Sequence, residues 1–189
     1  MQKNMASRHM TTSSAYTKTA IALHWIMAIF IFAVFPLGVY MHELPPSPAR
    51  TELYQYHKWI GLTVLSFATI RLLWRMSHRP PTLPASISRW QQKISHSVHH
   101  ALYLLLILIP LSGWMMSSAK GYPTIWFNLI ALPDLVGKDK FLADFFQETH
   151  EILNFTLLGL VFLHILAALK HHFFDRDGIL ARMLPFLTK

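Results

Sequence analysis

Four histidines have the type and the spacing to act together. His150 and His164 fall fourteen residues apart in the apolar stretch QETHEILNFTLLGLVFLHILAALKHH, and His24 and His57 lie in two earlier apolar stretches. At about 100° and 1.5 Å per residue, fourteen residues bring the second ring back to within roughly 40° of the first, about 21 Å further along a helix. An ionisable group inside a lipid-buried helix is costly and is usually retained for function, which makes His164 the strongest of the four. Imidazole is a good iron ligand. The chain has no cysteine, which excludes disulfides, thiolate metal sites, cysteine nucleophiles and covalent haem attachment through C-x-x-C-H. It has no H-E-x-x-H pair, and its acids fall almost entirely outside the apolar stretches, so zinc-protease and carboxylate-bridged iron chemistry are not expected.

The elements that must carry these rings are membrane spans. Of 189 residues, 53% are hydrophobic and 14% charged, and the mean hydropathy is +0.34. The apolar residues gather in four blocks at 20–41, 57–76, 99–118 and 150–169, each close to the ~20 residues needed to cross a bilayer core. None resembles a cleavable signal peptide. The connections ELPPSPARTE, SHRPPTLPASISRWQQ and KGYPTIWFNLIALPDLVGKDKF carry the Pro and Gly that stop helices. The last, from Lys120 to Gln147, is rich in aromatic residues and is expected to form a surface helix or cap. The polar start, MQKNMASRHM, is expected to be a tag remnant or frayed tail. The reading is an all-α membrane protein, a four-transmembrane-helix bundle, with segment 1–19, a haem-binding domain over 20–172 and a tail over 173–189.

Charge sets the orientation. Twelve of the 17 Lys and Arg residues lie on the side that holds both termini, and seven of the nine acids lie on the other. By the positive-inside rule both termini face the cytoplasm. The net charge of +8 thus reflects topology and contact with anionic membrane lipid. No soluble basic face for nucleic acid is visible.

With this topology the histidines sort into two depths. His57 meets His150 toward the outer face and His24 meets His164 toward the inner face, an arrangement that suits two b-type haems with bis-histidine iron. Two rivals remain open. His42 shares a helix face with His24 but precedes the E-L-P-P stop, and His99 competes at the inner level, where it is expected to line the site. Arg71 follows His57 by fourteen residues and so projects at the inner level, where it either pairs with haem propionates or snorkels to the surface. Gly61, one turn after His57, is small enough to let a porphyrin face approach.

Several motifs, taken together and in order, resemble the bacterial cytochrome b561 family. They are L-H-W at Leu23 to Trp25, Y-x-Y-H-K-x-x-G from Tyr54 to Gly61, I-R-L-L-W-R from Ile70 to Arg75, H-x-x-x-Y from His99 to Tyr103, T-H-E at Thr149 to Glu151, L-H-I-L-A-A-L-K-H-H-F from Leu163 to Phe173, and D-R-D-G-I-L-A-R-M from Asp175 to Met183. The resemblance implies a bacterial inner-membrane dihaem cytochrome that moves electrons between quinone and a second redox partner, with His24, His57, His150 and His164 as axial ligands. It also implies a quinone contact for His171. Since a histidine titrates near neutral pH and His171 lies roughly 10 Å beyond His164 toward the inner surface, a quinone pocket is expected there with His99 or Arg71 nearby. Superoxide oxidation coupled to ubiquinone reduction is a reaction known within the family, and Lys58, Lys120, Lys138 and Lys140 would supply local positive charge for such an anion. The alternative is a cytochrome subunit that docks a dehydrogenase or a periplasmic electron carrier through the 120–147 connection. A cofactor-free transporter or structural bundle would leave the two-level histidines unexplained.

Overall fold

The computed structural model describes residues 15–84 and 86–187; the segment MQKNMASRHM lies outside them. Four helices follow one another: α1 (Lys18–Glu43), α2 (Pro48–Ser77), α3 (Arg89–Ala119) and α4 (Lys140–Lys170). All four are long and apolar enough to cross a membrane. Each begins earlier than its apolar block because a polar cap starts it. Thr17 accepts from the N–H of Ala20, Ser47 from that of Arg50 and Asp139 from that of Leu142, and Ser88 forms a capping box with Gln91. His57, His99 and His150 therefore stand about two to three turns inside their helices rather than at the ends.

The α3–α4 connection is where the structure departs from expectation. Instead of a surface helix it forms a β-hairpin, β1 (Thr124–Trp126) and β2 (Ile130–Leu132), paired antiparallel with Ile125 opposite Ala131. Pro123 and Pro133 bracket the hairpin and prevent a helix from running through it. Its turn puts Phe127 and Asn128 at φ of 51° and 58°, the left-handed backbone that a tight hairpin turn demands. The aromatic residues from Phe141 onward belong to the first turns of α4.

Packing runs between helices adjacent in sequence: α1 on α2, α2 on α3, and most extensively α3 on α4. The small apolar core is Leu105 and Ile109 of α3 against Leu157 of α4. Large side chains such as Phe32, Leu73, Phe155 and Phe162 point outward, as expected for helices whose solvent is lipid. Both described chain ends lie at one end of the bundle. There the Trp25 indole donates to the Met183 carbonyl (2.8 Å), the Trp74 indole to Thr17 Oγ1 (3.0 Å) and Arg182 to the Thr82 carbonyl (2.7 Å).

Candidate functional site: two facing histidine pairs

The four histidines meet as two pairs. His57 of α2 faces His150 of α4 with ring centres 6.2 Å apart and ring planes at 75°, and His24 of α1 faces His164 of α4 at 6.3 Å and 70°. A metal–nitrogen bond of about 2 Å plus roughly 1 Å from ring nitrogen to ring centre, on each side, gives about 6 Å for two imidazoles on opposite faces of one metal ion. Both pairs fit that span. His99 also approaches His164, but at 5.4 Å between ring centres its spacing is short for the same arrangement.

The rings are held from behind. Nδ1 of His150 donates to the Ile109 carbonyl (2.9 Å) and lies 3.1 Å from Ser112 Oγ, both on α3. Its Nε2 is thus left with a free lone pair for the cleft that His150 shares with His57. A ligating imidazole is usually fixed by such a bond from its other nitrogen. His57 has a looser seat: its buried Nδ1 lies beside the backbone at Val34 without a well-formed hydrogen bond.

Two glycines shape these seats. A Cβ at Gly38 of α1 would stand 3.0 Å from Cε1 of His57, and one at Gly113 of α3 would stand 3.0 Å from Cε1 of His150. Each follows a helix-interior proline, Pro36 and Pro110, by two or three residues. Gly61, the glycine singled out from the sequence, does line the cleft shared by His57 and His150, with nothing within 4 Å of the position a Cβ would take. The cleft there is open beside the backbone, as a flat ring approaching edge-on or face-on requires. His42 is exposed in the last turn of α1 and does not line this cleft.

At the level of His24 and His164 Arg71 reaches the site. Its Nε donates to the Tyr103 hydroxyl (2.9 Å), and the guanidinium carbons of Arg71 and Arg75 lie 5.7 Å and 5.6 Å from the Tyr103 ring centre. The Arg71 charge falls on His24, His99 and His164 together. His171 stands apart from these contacts, in a π-helical turn (His171–Asp175) that ends at Arg176, a left-handed residue at φ 51°. Its Nδ1 is 2.6 Å from Asp177 and 3.1 Å from Asp175, while Lys170 also pairs with Asp175. At the opposite end, Lys58 donates to the Pro123 carbonyl (2.9 Å) and Lys120 to the Gln147 side chain (2.6 Å), and Lys138 packs along Gly121. Burial pushes the Lys120 ammonium below the usual lysine range, against the pull of Asp144.

Comparison with known proteins bears directly on this arrangement. Residues 15–186 match the family described as prokaryotic cytochrome b561. The chain belongs to that family. Cytochrome b561 homolog 2 of Escherichia coli (strain K12) is 34% identical over 174 residues, 92% of this chain and 93% of that protein. The probable superoxide oxidase CybB of Yersinia pestis is 26% identical over 170 residues, 90% and 96% of the two chains. Cytochrome b561 homolog 1 of Escherichia coli (strain K12) is 28% identical over 176 residues, 90% and 97%. This cytochrome b561 is therefore a multi-pass bacterial membrane protein of electron transport, from a family that binds b-type haem. The residues present fit that group, since the paired imidazoles have the span for one iron and the helices leave an open cleft at Gly61. Sequence reasoning missed Gly38, Gly113, Ser112 and Asp177. Of these, the glycines carried a signal in retrospect, each lying just after a proline within an otherwise apolar helix.

Proposed function

We propose that this cytochrome b561 spans the bacterial inner membrane with both termini cytoplasmic and carries electrons from its outer face to a quinone at its inner level. The supporting observation is the equal spacing of two histidine pairs at two depths. Bound b-type haem would supply reversible one-electron carriage at each level. His57 and His150 hold the outer group, and the Ile109 carbonyl fixes the His150 tautomer. His24 and His164 hold the inner one. His99 lines its edge, and Arg71, braced by Tyr103, offers a fixed positive charge to propionates. Haem-to-protein stoichiometry from a pyridine haemochromogen assay should be two, and a ratio of one would remove the two-level reading.

The donor we propose is superoxide, in keeping with the superoxide oxidase named among the relatives. Two superoxide anions each give one electron and leave as two dioxygen molecules, and one quinone takes two electrons and two protons to become a quinol. Lys58, Lys120 and Lys138 gather at the outer end and favour an anion's approach over a face that is acidic in sum. At the inner end His171, with Nδ1 held by Asp177, has Nε2 available to pass a proton to reduced quinone. His171→Ala should slow oxidation of the reduced protein by added quinone by about 10²-fold, in the range of general acid–base contributions, with haem content and reduction from the outer face unchanged. Unaltered quinone kinetics would take His171 out of the pathway. The second reading, a subunit that docks a redox protein, draws on exposed apolar residues of the outer connection beyond the hairpin, Leu135, Phe141 and Phe145.

A further inference from the structure

The hairpin between α3 and α4 has a direction that its contacts reveal. Lys58 donates to the Pro123 carbonyl, the Trp59 indole donates to the Ile125 carbonyl (2.7 Å), and the Trp126 indole reaches Thr63 Oγ1 (3.3 Å). Rising numbers in β1 thus match rising numbers in α2. Since α2 runs from the outer end of the bundle toward the end that holds the chain termini, β1 runs the same way. The turn at Phe127 and Asn128 therefore points along α2 toward the bilayer rather than away from it. Thr63 lies six residues beyond His57, about 9 Å deeper along the helix.

The side chains at that turn suit the depth. Leu129 is 85% exposed, and Phe127 and Ile130 are about half exposed. The polar backbone is meanwhile satisfied from the α2 side, where Lys58 and the Trp59 indole cover carbonyls that lipid could not. Phe127 also packs on Trp59 with ring centres 5.4 Å apart. An apolar edge facing outward, with its hydrogen bonds turned inward onto a spanning helix, is what an interfacial anchor requires. Asp134, just past β2, is exposed and charged, and marks where the connection returns to water.

We infer that the β1–β2 hairpin is a membrane-inserted wedge whose tip residues Phe127, Leu129 and Ile130 sit among the acyl chains of the leaflet opposite the chain termini, against the flank of α2. Its occupant is lipid and not a partner protein. The cysteine-free chain makes the test direct. Leu129→Cys and, separately, Asp134→Cys would be spin-labelled in the full haem-loaded protein, reconstituted into vesicles of phosphatidylethanolamine and phosphatidylglycerol. Collision rates with dioxygen, which concentrates in hydrocarbon, and with a water-soluble nickel chelate would then be compared. At 129 dioxygen collisions should exceed nickel collisions by several-fold, and at 134 the order should reverse. A nickel collision rate at 129 equal to that at 134 would overturn the inference and leave the tip as an aqueous surface open to a protein partner. Unchanged visible spectra in both variants would show that the fold was kept.

Discussion

If the two pairs hold two haems as proposed, His57→Ala and His150→Ala should each remove one and the same haem, and His24→Ala and His164→Ala should each remove the other, because every variant deletes one of the two imidazoles that would hold that group. Haem content should fall from two per chain to one in all four. In a redox titration the component lost should be shared within each pair and differ between pairs. His99→Ala supplies the control at the inner level: its ring stands 5.4 Å from His164, against 6.3 Å for His24, so both haems should be retained with at most a shifted potential. Should His57→Ala delete the component that His164→Ala deletes, the pairing by depth would be wrong. Should His99→Ala empty the inner level while His24→Ala does not, the ligand on that side would be reassigned.

Filling the glycine seats should have the next largest effect. Gly38 and Gly113 are mid-helix residues without a positive φ, so alanine suits their backbone better by about 0.5–1 kcal/mol. The added methyl, however, would stand 3.0 Å from the outer histidine behind it, a distance at which that ring must shift by a few tenths of an ångström. A ligand constellation tolerates a displacement of about 0.5 Å. Gly113→Ala should therefore keep the outer haem with an altered potential, while Gly113→Val, with two further carbons against His150, should lose it. Gly38→Val should do the same through His57. The inner component should be untouched in all three, as haem stoichiometry and redox titration would read. An unaltered outer component in both valine variants would mean that these rings are not seated on the glycines at all.

Much of this architecture is legible in the chain. Hydropathy marks four spans because lipid demands continuous apolar length, and the helices found contain all four blocks. The fourteen-residue interval between His150 and His164 sets two depths on α4 before any partner helix is known. Helix starts were less legible, since polar first turns such as PARTELYQ and RWQQKISH are helical by capping and not by burial. The hairpin was missed for a related reason: strands of three residues carry no period, and its turn uses Phe127 and Asn128 with no Asn-Gly signal. The supports behind the histidines were hidden because they come from other helices. Which glycine or carbonyl backs His150 depends on how α3 lies against α4, and one sequence does not state that register.

The order in which the helices pack has a consequence for how the protein is put together. Neighbours in sequence are the neighbours in space, and few backbone approaches link α4 with either α1 or α2. Among the described residues, apart from Phe35 against Phe155, the ring contacts that span this gap are the two histidine pairs, and α4 contributes one ring to each. The helices thus form an arc whose ends meet at the histidine pairs and where Ile31 of α1 packs against the Leu105, Ile109 and Leu157 core. A group held between these rings would tie α4 to α1 and to α2 at two depths, a cross-link that packing between sequence neighbours does not make.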